Sequence, residues 1–185
     1  MNSYHCKIQL PVMLEHNVVI EDTTKSSYAR FDPKQNINQE FVDWYESMDL
    51  YWVVGGYFYT PADWNWPPHI DGKTLIDWCK INWRTGGDGS SMKWYTPREN
   101  FELVPKTEIP RSVTDSTYST ISLDQVEVAY ETVHAENCLI NAGRIHSFDS
   151  GPTAQHIISV VLGRKKTGRV IMWEEIPEVF DKYIV

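Results

Sequence analysis

Apolar and polar positions along this chain change their period once, near residue 50. Before it, "NQEFVDWYESMDL" places Phe41, Trp44, Tyr45 and Met48 at i, i+3, i+4 and i+7, the spacing of one helix face. Asn38 is the expected N-cap. Upstream, "KIQLPVMLEHNVVIE" reads as one or two β-segments. From Leu50 onward come short β-rich runs separated by turns: "LYWVVGGYFYT", "TLIDWCKINWRT", "SSMKWYT", "QVEVAYETV", "NCLINAGRIHSF", "QHIISVVLG" and "RVIMWEEI". In "SLDQVEVAYETV", Leu123, Val126 and Tyr130 fit a helix behind a Ser122 cap, but Val126, Val128, Tyr130 and Thr132 alternate, which favours a strand. "TGGDGSS" lacks the Lys-Ser/Thr ending of a phosphate-binding loop and reads instead as a hairpin turn joining "CKINWRT" to "SSMKWYT". Many short strands with Gly and Pro turns behind a small helical opening predict a mainly β jelly roll or related barrel. The expected layout is one domain over 1–185 with its core at about 50–175.

Composition sharpens this in three respects. Aromatic residues make up 13%, with eight Trp and ten Tyr, which points to a core or cleft built from flat side chains. The net charge of −8 repels phosphate backbones, so no nucleic-acid partner is expected. Cys6, Cys79 and Cys138 are odd in number and form no CxxC pair, which predicts buried thiols in a reducing compartment. The N-terminus shows no basic region followed by an apolar run, and no stretch is long enough to span a bilayer. The expectation is a cytoplasmic protein with no membrane partner.

The chemistry rests on histidine–carboxylate pairs. In "WPPHIDGK", His69 and Asp71 stand two apart, and on a strand residues i and i+2 project to one side. Composition alone predicts about 0.8 such pairs by chance; the chain has two, the other being His134 and Glu136. A site of two His and one carboxylate needs a third ligand, from a strand far along the chain. His146 follows His69 and Asp71 with several strands between. After His134, both His146 and His156 come too soon to cross a barrel and return. The first pair has a partner, and His134 with Glu136 is expected to lie apart from it. The plainer reading stays open: His69 in a surface loop, Asp71-Gly72 in a turn, His146 a hydrogen-bonded core residue.

"PPHIDGKTLIDWCKINWRTGGDGSSMKWY" resembles the metal-strand and hairpin section of the iron(II)/2-oxoglutarate-dependent oxygenases. It is most similar to the small phage-type members and the aspartyl/asparaginyl β-hydroxylase-like group. "NAGRIHSFDSGPTAQHIISVVL" resembles that superfamily's late section. The resemblance spans about residues 50 to 163. It implies a double-stranded β-helix, Fe(II) held by His69, Asp71 and His146, and 2-oxoglutarate as co-substrate. In that superfamily an Arg or Lys about ten residues after the second His binds the distal carboxylate. Here Gln155 and His156 stand at that place, and neither carries a permanent bidentate charge. Members that take the cation from a central strand suggest Lys80, Arg84 or Lys93 instead. Asn82, Trp83 and Tyr95 are candidates to line the pocket, with core packing as their alternative role.

Three functions fit these residues: an oxygenase acting on a small-molecule or peptide substrate, a cupin-like metal enzyme without 2-oxoglutarate, or a non-enzymatic binding module. The last would use the tryptophans of "ADWNWPP" and "MKWY" as a stacking surface. Residues 103 to 122, rich in Ser, Thr and Pro, read as a substrate loop or a plain connection.

Overall fold

The computed structural model describes residues 2–72, 75–99, 101 and 119–185, so most of the Ser/Thr/Pro-rich segment lies outside the described residues. The strands are β1 (His5–Lys7), β2 (Ser27–Arg30), β3 (Leu50–Thr60), β4 (Asn65–Ile70), β5 (Cys79–Gly86), β6 (Ser91–Pro97), β7 (Ser119–Thr120), β8 (Val126–Val133), β9 (Asn137–Asn141), β10 (His146–Asp149), β11 (Gln155–Arg164) and β12 (Arg169–Val170). The helices are α1 (Pro33–Asn36), α2 (Gln39–Ser47) and α3 (Ile176–Phe180). Among the described residues no helix is long and apolar enough to cross a membrane.

The strands form two sheets. One runs β1-β9-β5-β11-β3-β2, with β12 beside β11; the other runs β7-β4-β10-β6-β8. Every pairing is antiparallel. Successive strands from β3 to β6 and from β8 to β11 switch sheets pairwise, so the central quartets β3-β11-β5-β9 and β4-β10-β6-β8 face each other. That strand order is a jelly roll, the predicted fold.

Alternation along the central strands sorts their side chains. On β5, Lys80 and Asn82 line a cavity between the sheets, while Ile81 and Trp83 join the outer core. On β11, Ile157 and Ser159 face the cavity, and Val160 and Leu162 the outer core. That outer core is closed by Phe41, Trp44 and Tyr45 of α2 and by Ile176 and Phe180 of α3. Between the sheets, Met92, Trp94, Cys138, Ile140, Ala142 and Phe148 pack together. All three cysteines are free and buried. Burial pushes the Cys6 thiol up to about 11, and raises Cys79 and Cys138 further.

The structure corrects three local expectations and refines a fourth. Asn38 is the N-cap of α2, as expected, with its backbone extended, but its side chain makes no capping hydrogen bond. Its Oδ1 accepts instead from the Glu15 amide at 2.9 Å, and its amide donates to the Met13 carbonyl. The long N-terminal β reading shrinks to β1; beyond it only Ile8 and His16 make isolated bridges. "RVIMWEEI" stops being a strand after Val170, because Glu175 accepts from the Met172 amide and starts helical turns. "TGGDGSS" is no hairpin. β5 and β6 belong to different sheets, and Gly86, Gly87 and Gly89, all at positive φ, carry the chain across.

Candidate metal centre

β4 and β10 are neighbours, with His69 directly opposite His146 in their register. The ladder slips between His146 and Phe148, opposite the two prolines of β4, which supply no N–H to it. The imidazole centroids of His69 and His146 are 4.4 Å apart. Asp71, just past the end of β4, turns back towards both. His69 Nε2 lies 3.8 Å from one carboxylate oxygen and His146 Nε2 lies 3.6 Å from the other. One donor atom from each residue falls within 4.8 Å of the others.

The backbone fixes which nitrogen of each ring points inward. His69 Nδ1 lies 2.8 Å from the Pro67 carbonyl, and His146 Nδ1 lies 2.8 Å from the Arg144 carbonyl. A carbonyl only accepts, so each Nδ1 carries the proton and each Nε2 offers its lone pair to the shared centre. Burial lowers the His69 pKa to about 4 and that of His146 below its ordinary value, against the pull of Asp71, so both rings stay neutral at neutral pH. Burial works to raise the Asp71 pKa, but the Lys80 ammonium and the two imidazoles override it and hold the carboxyl well below its usual range. Lys80 Nζ donates to Asp71 Oδ2 at 2.7 Å.

Two neutral imidazoles and an ionised carboxylate are a donor set that can hold a divalent first-row metal. Bonds of about 2.0–2.2 Å to one ion put neighbouring donors about 3–3.5 Å apart. The donors here, all within 4.8 Å of one another, stand wider than that by up to about an ångström and close on an ion by side-chain rotation. These three residues fit a mononuclear centre.

The centre opens on a cavity of about 110 Å³ lined by the three donors, Lys80, Asn82 and His134 on its polar parts. Phe58, Trp66, Met92, Ile140, Phe148 and Ile157 supply apolar walls. His134 was expected to lie apart from the metal residues. It shares their cavity, because the turn after β8 brings it back under Ser90, whose carbonyl accepts the His134 amide at 3.0 Å. Glu136 does stay outside the cavity lining, and its carbonyl accepts from the Arg84 amide. No spacing rule in the sequence signals the position of His134.

The remaining candidates separate by strand face. Lys80 and Asn82 line the cavity. Arg84 projects to the same side of β5, but its guanidinium is taken up by the carbonyls of His134, Gly86 and Gly87. His156 lies on the opposite face of β11, stacked on Tyr57 and hydrogen-bonded to its hydroxyl at 2.6 Å. Gln155 packs beneath the Gly87 turn, outside the cavity lining. Tyr95 is buried beside Ile70 and Ile145, where its hydroxyl meets Ser147 Oγ at 2.8 Å. Lys93 pairs with Glu131 on the outside. Trp83 is buried in the outer core; of the tryptophans expected to form a stacking surface, Trp94 is fully buried between the sheets, whereas Trp64 is exposed and Trp66, beside it, lines the cavity.

No known family's sequence profile and no curated protein matches this chain. Solved structures show a distant likeness only. One is an oxalate oxidase, 12% identical, covering 90% of this chain and 77% of its own, with a TM-score of 0.36. Another is Peruvianin-I, described as a cysteine peptidase from Thevetia peruviana latex, 10% identical, covering 84% and 87%, with a TM-score of 0.34. An oxidase and a peptidase at the same distance distinguish no chemistry. Strand order and site geometry together define a jelly-roll protein with a candidate mononuclear metal centre.

Proposed function

We propose that the protein is a mononuclear metal enzyme, an Fe(II)-dependent oxygenase using 2-oxoglutarate, in which His69, Asp71 and His146 hold the ion. The observation that carries this reading is the pair of imidazoles whose Nδ1 atoms are held by backbone carbonyls while both Nε2 atoms converge with Asp71 on a cavity. A three-donor set leaves coordination positions open, and Fe(II) held there supplies oxygen activation against a C–H bond.

The chain's own residues provide the rest. Lys80 is the cation that faces the cavity among the described lining residues, and it neutralises a carboxylate arriving beside Asp71. Phe58, Met92, Phe148 and Ile157 exclude water from the space where substrate must sit. The substrate belongs to the small-molecule or exposed side-chain class, since the cavity admits only a few heavy atoms.

The test is Fe(II) titration under anaerobic conditions followed by assay of succinate formed from 2-oxoglutarate. One ion per chain, lost in Asp71→Ala, supports the centre. Succinate formation supports the co-substrate. A second reading, a jelly-roll metal enzyme without 2-oxoglutarate, is favoured by the uncharged character of the cavity's inner wall, where His134, Asn82, Thr60 and Ser159 present no fixed cation. Stoichiometric metal with no succinate from any substrate pool selects that second reading.

A further inference from the structure

The inner wall of the cavity holds polar atoms that the protein itself leaves without hydrogen bonds. His134 is 1% exposed, lines the cavity, and has no partner at either Nδ1 or Nε2. Asn82, 5% exposed on the same lining, has no donor to its Oδ1. Burying such atoms unpaired costs about 1–3 kcal/mol each, so a native fold that keeps them has a use for them. The ring of Phe148 packs edge-on against His134, at 5.7 Å between centroids, and offers its nitrogens no hydrogen bond.

We propose that His134 and Asn82 form a recognition subsite for an uncharged donor–acceptor group, a primary amide or a hydroxyl, at the far end of the ligand that enters beside Lys80. A neutral imidazole presents one N–H and one lone pair, and Asn82 Oδ1 presents a lone pair only. An amide satisfies both, its carbonyl accepting from the His134 N–H and its NH₂ donating to Asn82. A carboxylate offers no hydrogen to Asn82 Oδ1 or to the imidazole lone pair and sets its charge against both. The imidazole does not supply the missing charge, because burial and the nearby Arg84 guanidinium lower its pKa to about 3. Arg84 does not supply it either, being occupied by three carbonyls.

Spacing sets the ligand's length. Lys80 and Asn82 are i and i+2 on β5, about 7 Å apart along the strand. That span, in a cavity with apolar lining, suits two or three methylenes. The ligand class is therefore a short-chain carboxylate whose carboxylate meets Lys80 and whose other end is an amide or alcohol. This substrate class rests on the metal-centre reading only for what happens at the Lys80 end; the inner subsite is independent of it.

Succinamate and succinate differ at one end only, as amide against carboxylate, and make the test. Calorimetric titration of the Zn(II)-loaded and the metal-free protein with each measures the choice. The subsite predicts at least a tenfold preference for succinamate in both forms. His134→Phe keeps the ring that packs on Phe148 and removes both polar atoms, and it should erase the preference while Zn(II) binding stays unchanged. Asn82→Leu should reduce the preference in the same direction. Equal binding of the two acids, tighter binding of succinate, or a preference that survives both variants overturns the proposal. Failure of Zn(II) to bind, with the preference intact, sinks the metal reading and leaves the subsite standing.

Discussion

Removing the carboxylate of Asp71 should cost stability even in metal-free protein. The residue is more than a ligand in waiting: its Oδ2 accepts from Lys80 Nζ at 2.7 Å, with side chains 16% exposed for Lys80 and 21% for Asp71. In Asp71→Ala the ammonium faces two imidazoles that burial keeps neutral, and nothing else on the lining carries negative charge. Breaking a fully buried pair costs about 3–5 kcal/mol. Residual solvent access on both partners scales that to about 2–3 kcal/mol. With a urea dependence of about 2 kcal/mol per molar, the midpoint should fall by about 1–1.5 M. Urea unfolding in EDTA, followed by tryptophan fluorescence, reads this directly. The double variant Asp71→Ala/Lys80→Met should regain most of the loss, because an apolar side chain replaces a charge without a partner. A single-variant midpoint within about 0.2 M of the parent, or no recovery in the double variant, refutes the reasoning.

Three further outcomes follow from the geometry. Folded His134 protonates near pH 3 and His5 near pH 4, against about 6.5 when unfolded, so the unfolded chain binds more protons below pH 6.5. Stability should therefore decline as pH falls from about 6.5 towards 4, by up to about 1.4 kcal/mol per pH unit for each residue, and His134→Phe should flatten the decline seen in urea midpoints at pH 7, 6 and 5. Gly143→Ala would drive its Cβ into the Ile76 carbonyl, so the turn before β10 must move; a loss of about 1–3 kcal/mol is expected in thermal or urea unfolding, together with weaker metal binding, since that turn carries the Arg144 carbonyl. A thiol reagent should leave Cys6, Cys79 and Cys138 unmodified until the protein unfolds, because all three are buried and held protonated.

The fold was readable because its signal is local: period-two runs ending at Gly and Pro, and one helical stripe at Phe41, Trp44 and Tyr45. His69, Asp71 and His146 were readable because a strand's alternation puts the first pair on one side and the third donor has to come from a distant strand. Sequence could not show which strands share a sheet. The glycines of "TGGDGSS" announce a turn equally well within a sheet and between two. Nor could it separate Lys80 from Arg84, both even-numbered on β5 and both basic; what differs is that three carbonyls capture one and a carboxylate the other. His134 was misplaced for the same reason, since its position depends on the long-range contact with Ser90.

Each donor histidine is oriented by the carbonyl two residues before it, that of Pro67 on β4 for His69 and that of Arg144 in the turn before β10 for His146. Main-chain oxygens survive any side-chain replacement, so drift at positions 67 and 144 that preserves the backbone path cannot unset either ring. The two strands, cross-paired at the histidines, thus behave as a transplantable chelating unit. Grafted onto another antiparallel pair with the same local slip, they would bring their tautomers with them and ask of the host only a carboxylate and a dry space.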